Sequence, residues 1–314
     1  MAENIILEDL TVSFGNGNVV NHISTVFQSG YITGLLGESG SGKSVLGMSV
    51  IGLLPSNAKQ SGRILFGNRN LLALTQKQLR GIRGKRIGLI PQNPADSLNP
   101  ARRIGPQMTE AVRVNIKKKK EAKKKANLLL QTFGFLDSAP ILRNYSFQLS
   151  GGMKQRVLSA MGLACDPEWV IADEPTKGLD AALRGQVCSL LNEISRKKGK
   201  SMLIITHDLM LAEKSCQWLM VLYQGRIMEE GNTEEVLHHP LHPYTEGLLS
   251  AQPSHGMHSI PYAASKKGGN SGCEFSDRCP KASKICCEAD PPVIVLNGHR
   301  KVRCHYAAGS PASE

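Results

Sequence analysis

The chain lacks any apolar run long enough to cross a bilayer, and Glu3 and Glu8 stand where a secretory leader would be basic and then apolar. A protein that stays in the cytoplasm is expected, meeting a membrane only through a partner. Aromatic side chains are scarce, 5% of 314 residues, and none interleaves with the lysine runs at 117–120 and 123–125. Those runs therefore lack the stacking platforms of a single-strand nucleic-acid binder. Acidic residues number 26 against 38 Lys plus Arg, a formal charge of +12. One meaning of the excess is contact with nucleic acid or anionic headgroups; a solvated face on a helix reaching Leu130 is preferred. The length suffices for one large core and an appendage.

What is present is concentrated in short strings. Tyr31 to Leu36 reads as a buried strand, and Val45 to Leu53 carries apolar residues at helical spacing. Between them lies Gly37-Glu38-Ser39-Gly40-Ser41-Gly42-Lys43-Ser44, a complete P-loop. Gly37, Gly40 and Gly42 let the backbone wrap a phosphate chain with its N–H groups inward, and the helix adds its positive dipole end. Lys43 then neutralises the β- and γ-phosphates, and the Ser44 hydroxyl coordinates Mg²⁺.

Further along, Leu149-Ser150-Gly151-Gly152-Met153 precedes a helix, and Trp169 to Ala172 reads as a buried strand ending in Asp173-Glu174. An acidic pair at that place supplies a Mg²⁺ ligand through water, Asp173, and a group that orients and polarises the attacking water, Glu174. Met202 to Thr206 is another strand, ending at His207. Arg86 to Pro91 is a third, ending at Gln92.

In this order the strings resemble those of ATP-binding-cassette (ABC) ATPases, over residues 5 to about 235. The resemblance implies an α/β fold: a P-loop NTPase cassette with a RecA-like core, an antiparallel β subdomain and an inserted helical subdomain. Ser150, Gly151 and Gly152 would be the signature that completes a partner's ATP site. His207 would be the switch histidine at the γ-phosphate, and Gln92 would contact Mg²⁺ and relay movement to a permease. Asp180 would belong to the loop crossing the dimer interface, where Lys177 and Gly178 replace the family's usual small hydroxyl or alanine residues. Phe14 is a candidate for stacking on adenine, with core packing the alternative. Ser39, Ser41, the run Gln92 to Pro100 and the run His239 to Leu249 look like the ATPases of dipeptide, oligopeptide and nickel importers.

That resemblance implies ATP and Mg²⁺, two transmembrane permease subunits, a second ABC ATPase (a heterodimer more than a homodimer), an extracytoplasmic solute-binding protein, and a place at the cytoplasmic face of the membrane. No nucleic-acid partner is expected. The alternative is a non-transport ABC ATPase acting on nucleic acid or ribosomes. Chromosome-type members split the two motifs with a long coiled coil, and translation-type members carry two cassettes, whereas this chain has one signature. Glu174 and His207 speak against a binder that never hydrolyses ATP.

Residues 1–252 are assigned to the ATPase, with the helical subdomain at about 93–160, 253–272 to a polar linker, and 273–314 to a cysteine-rich extension. Five of the eight cysteines lie in that extension. In a cytosolic chain this density argues for metal ligation over disulfides. By resemblance to peptide-importer ATPases, Cys273, Cys279, Cys286 and Cys304 would hold a four-iron four-sulfur cluster, with Cys287 the spare for Cys286. Zinc and an unmetallated tail stay open. ATP hydrolysis is expected to be independent of these cysteines.

Overall fold

The computed structural model describes residues 3–15, 17–251 and 272–307. Antiparallel strands β1 (Ile5–Phe14) and β2 (Gly17–Phe27) lead into β3 (Ile32–Leu36) and helix α1 (Lys43–Val50). Strands β4 (Ala58–Phe66) and β5 (Arg69–Asn70) return to the first pair and complete a four-stranded sheet, ordered β2-β1-β4-β5. After α2 (Gln76–Leu79) and β6 (Ile87–Ile90) comes a helical insert: α3 (Pro94–Ser97), α4 (Ile104–Arg113), α5 (Lys119–Thr132), α6 (Ala139–Arg143) and α7 (Gly151–Gly162). The chain then alternates through β7 (Trp169–Asp173), α8 (Ala181–Lys198), β8 (Ser201–Ile205), α9 (Leu209–Ser215), β9 (Trp218–Tyr223) and β10 (Arg226–Asn232). Helices α10 (Thr233–His238) and α11 (Pro243–Ser250) follow, and α12 (Lys284–Glu288), β11 (Val293–Leu296) and β12 (Arg300–Arg303) close the described chain.

The second sheet has eight strands in the order β11-β12-β10-β9-β3-β8-β7-β6. Its β9-β3-β8-β7-β6 part is parallel. These strands are apolar because both faces are covered. Alternation divides each strand between two cores. Ile32, Leu36, Val170, Ala172, Met202 and Ile204 join the core shared with the helical insert, whereas Leu35, Trp169, Ile171, Leu203 and Ile205 face the core under the antiparallel sheet.

Helix α5 shows how the lysine excess is used. Ala122, Ala126, Leu129 and Leu130 are buried, while lysines 119, 120, 123 and 124 are exposed.

The C-terminal segment is less separate than its sequence suggests. Strand β12 pairs antiparallel with β10, Glu229 opposite Val302 and Glu230 opposite Lys301, so the segment adds two strands to the edge of the main sheet. Fully buried Glu229 accepts hydrogen bonds from the backbone N–H groups of Leu241 and His242 at 3.1 Å each, and from Arg300. Most of the expected linker, and the stretch after residue 307, lie outside the described residues.

Candidate nucleotide site

Strands β3, β8 and β7 are parallel neighbours, so their carboxyl ends come out side by side. Ligands of open α/β sheets bind at this edge. The loop 37–42 follows β3, Asp173 and Glu174 end β7, and Thr206 and His207 follow β8.

The loop needs two of its glycines for steric reasons. Gly37 (φ +150°) and Gly42 (φ +102°) lie in the left-handed region, and a Cβ there would meet the carbonyl oxygens of Leu222 at 2.2 Å and Val19 at 2.4 Å. Ser39 and Gly40 are exposed at the loop's tip, while Ser41 is buried beneath it. Lys43 opens α1, and its Nζ donates to the carbonyls of Gly37 and Glu38, both at 2.8 Å. Burial lowers the Lys43 pKa, while Glu174, Asp173 and Glu38 oppose that shift. A buried ammonium held by neutral partners, these carbonyls and the Ser41 hydroxyl at 3.4 Å, inside an acidic ring is suited to polyphosphate.

Asp173 has the complementary character. Burial raises its pKa, partly offset by a hydrogen bond from Ser44. Its Oδ1 is buried with no hydrogen-bond partner. An orphaned carboxylate oxygen beside a hydroxyl is a donor set that fits Mg²⁺.

Glu174 sits at φ +49°, rare for a residue with a side chain. Its N–H donates to the Ile205 carbonyl at 2.8 Å, which holds the strained turn against β8. Oε1 lies 2.7 Å from His207 Nδ1, and Oε2 accepts from the Thr206 hydroxyl at 3.3 Å. The Glu174 side chain is 7% exposed and that of His207 61%. A shielded carboxylate therefore faces outward through an imidazole, poised for proton and water chemistry at the sheet edge.

Lys43, Ser44, Asp173, Glu174 and His207 are thus gathered in one place. Gln92 is half-buried just after β6, two strands away from β8. Phe14 is half-buried and packs on the core under the antiparallel sheet. The remaining residues face elsewhere. Ser150 caps α7, accepting from the Met153 N–H at 3.3 Å, and Ser150 and Gly151 are exposed, with nothing within 4 Å of a Cβ at Gly151. Asp180 caps α8 through the Leu183 N–H at 2.9 Å, and Lys177 and Gly178 are exposed beside it. A Cβ at Gly152 would lie 3.0 Å from Leu183 and 3.3 Å from Leu179, so the α7 and α8 starts abut.

Cys273, Cys279, Cys286 and Cys304 line one small cavity with His242, Phe275 and Tyr306. Cys286 is buried and Cys287 exposed, which places the former in the group. Burial pushes the Cys273 thiol up to about 12 and raises those of Cys279 and Cys304. Among the described residues, no group of three or more His, Cys, Asp or Glu side chains is placed to hold a metal ion.

Residues that the local sequence did not mark are Tyr223, Tyr244 and Arg278. Tyr244 Oη accepts from the Glu38 N–H at 2.9 Å, and Arg278 pairs with the Glu38 carboxylate. Tyr244 lies in the His239 to Leu249 run, its only signal. Nothing local to Arg278 announces a partner 240 positions earlier.

Residues 20–177 match the family described as ABC transporter, and residues 228–286 match the one described as Oligopeptide/dipeptide transporter, C-terminal region. The probable D,D-dipeptide transport ATP-binding protein DdpD of Escherichia coli (strain K12) is 38% identical over 311 residues, 95% of this chain and 94% of that one. The dipeptide transport ATP-binding protein DppD of Bacillus subtilis (strain 168) is 37% identical over 317 residues, 97% of this chain and 95% of that one. Among solved structures, cbiO1 from Clostridium perfringens, part of the ABC transporter complex cbiONQ, superposes with a TM-score of 0.65 at 29% identity, covering 76% of this chain and 92% of that one. With the phosphate loop, acidic pair and histidine assembled at one sheet edge, this chain belongs to the ABC transporter family.

Proposed function

We propose that the chain hydrolyses ATP to power peptide import through separate permease subunits, acting from the cytoplasmic face of the membrane. The observation that carries the reading is the Glu174–His207 pair beside Lys43 and Asp173. Similarity over nearly the whole chain to dipeptide transport ATP-binding proteins supports the substrate class. Among the described residues no helix is long and apolar enough to span a bilayer, so a transport role requires a membrane partner. Nickel and metal chelates, the other solutes of the resembling importers, have no counterpart in those relatives' names.

In this reading Lys43 leaves the Gly37 and Glu38 carbonyls for the β- and γ-phosphates, and loop N–H groups hold the remaining oxygens. Ser44, Asp173 and Gln92 would hold Mg²⁺, which neutralises phosphate charge. Glu174 takes the proton of the attacking water, and His207 holds the carboxylate and meets the γ-phosphate. The exposed start of α7, with Ser150, Gly151 and Gly152, serves the ATP of a second cassette, its amides aimed at phosphate. Phe14 offers its ring to adenine, and Asp180 lies at the interface of the pair. A heterodimer with a different ATPase is the expected assembly. Closure then drives the permease through Gln92 and the helical insert, with a solute-binding protein delivering peptide outside.

The domain division follows the same assignment: cassette at 1–252 with the helical subdomain at about 93–160, linker at 253–272, extension at 273–314. The four cysteines around one cavity are our candidate ligands for a four-iron four-sulfur cluster. The all-thiol donor set suits such a cluster. Bound there, it would supply structural or redox chemistry.

The test is assembly. Alone, the chain should turn over ATP slowly; with its permease and second cassette it should turn over faster and sediment with membranes. Full activity as a free protein with no membrane-bound fraction would contradict a transport role.

A further inference from the structure

The C-terminal segment reaches the phosphate loop. Arg278 ends a short 3₁₀ turn, Ser276–Arg278, immediately before Cys279. Its Nη1 and Nη2 donate to Glu38 Oε2 and Oε1, both at 2.8 Å, the two-pronged match of guanidinium to carboxylate. Nη1 also donates to Tyr223 Oη at 3.3 Å, and the guanidinium carbon lies 5.6 Å from the Tyr223 ring centroid and 5.9 Å from that of Phe275. The seat is built rather than incidental. Tyr223, Tyr244 and Phe275 form a triangle with centroids 4.6 to 5.3 Å apart, and the Arg278 side chain is 12% exposed.

Every polar group of Glu38 is thereby held by a different part of the chain. Its N–H goes to Tyr244 Oη at 2.9 Å, its carbonyl to Lys43 Nζ at 2.8 Å, and its carboxylate to Arg278. A carboxylate in a phosphate loop has two costs. It repels the polyphosphate, and it competes for Lys43, to which it is electrostatically coupled. The forked pair offsets both, and it fixes the peptide that must release Lys43 when phosphate arrives.

We infer that Arg278 is a positioning residue for nucleotide binding, neutralising and orienting Glu38 from the C-terminal segment so that the loop admits a nucleoside di- or triphosphate. The inference rests on the nucleotide reading of the loop. It ties the C-terminal segment to the ATP site through Arg278, next to Cys279, a link that the expected independence of hydrolysis from the tail cysteines leaves untouched.

Binding of MgADP to the full chain, measured by calorimetry, tests it. Arg278→Gln should weaken affinity about tenfold, and Arg278→Lys, which keeps the charge, should stay within about threefold of the unaltered chain. The double variant Glu38→Gln/Arg278→Gln should return to within about threefold, because no charge is left to cancel. In the assembled transporter Arg278→Gln should raise KM for ATP and leave kcat within about twofold. Equal affinity for the unaltered chain and Arg278→Gln overturns the inference. So does a loss that persists undiminished in the double variant, which would make Arg278 a packing residue. Where Arg278→Gln fails to fold, Glu38→Gln alone decides: unchanged or tighter binding is expected, and weaker binding overturns the electrostatic role. Failure of the unaltered chain to bind MgADP would refute the loop assignment itself, and this inference with it.

Discussion

Glu174→Gln isolates the step in which water becomes a nucleophile. The substitution keeps the shape of the side chain and removes its ability to accept a proton. In the structure Oε2 accepts from Thr206 at 3.3 Å and Oε1 lies 2.7 Å from His207 Nδ1. A glutamine can keep both contacts, its carbonyl oxygen toward Thr206 and its amide toward an unprotonated Nδ1. The backbone at φ +49° is unchanged by the swap. Stability should therefore fall by less than about 1 kcal/mol, which for a domain of this size moves Tm by only roughly 2–4 °C. Catalysis should suffer far more. A positioned general base contributes about 10²- to 10⁴-fold, or roughly 3–5 kcal/mol of barrier. The assay is phosphate release by the assembled transporter at saturating MgATP, with nucleotide affinity measured in parallel. Tight binding with turnover reduced at least about a hundredfold is expected. A kcat within about threefold of the unaltered protein would remove Glu174 from the chemistry and sink the reasoning that placed it there.

Two other perturbations probe the loop and the tail. Gly42→Ala puts a Cβ 2.4 Å from the Val19 carbonyl oxygen at φ +102°, so denaturant unfolding should show a loss of about 2 kcal/mol or more; an unchanged midpoint would mean the loop is not held as described. Protein purified without oxygen should be brown and contain iron and acid-labile sulfide, and lose both when Cys273, Cys279 and Cys304 become Ser; colourless protein with zinc, or with no metal, would contradict the cluster assignment.

The parts of this fold that sequence made legible are those with a strong local pattern. Strands β3, β7 and β8 fall within one residue of their apolar runs. Buried parallel strands are apolar on both faces, so their runs stand out. Strand β4 has no such run, because only Ile64 and Phe66 of its nine residues are buried and the six from Ala58 to Arg63 are polar, small or exposed. Strands β11 and β12 are four residues each, β11 half-exposed and β12 paired between it and β10, so neither carries a long apolar run. In the site, Lys43, Ser44, Asp173, Glu174 and His207 were legible because each closes an apolar strand or opens a helix. Arg278 and Tyr244 were not, since their meaning depends on a contact with Glu38 made only after both sheets have formed. Spacing alone also could not choose between Cys286 and Cys287; burial separates them.

The most direct test of the central claim is peptide uptake into proteoliposomes holding the permease, this chain and its partner ATPase, with the solute-binding protein added outside. ATP enclosed in the lumen, where the cassettes face, should drive accumulation against a gradient, and Lys43→Ala in this chain should abolish it. Accumulation that proceeds without ATP, or that survives intact in Lys43→Ala, would contradict the claim that this chain powers import.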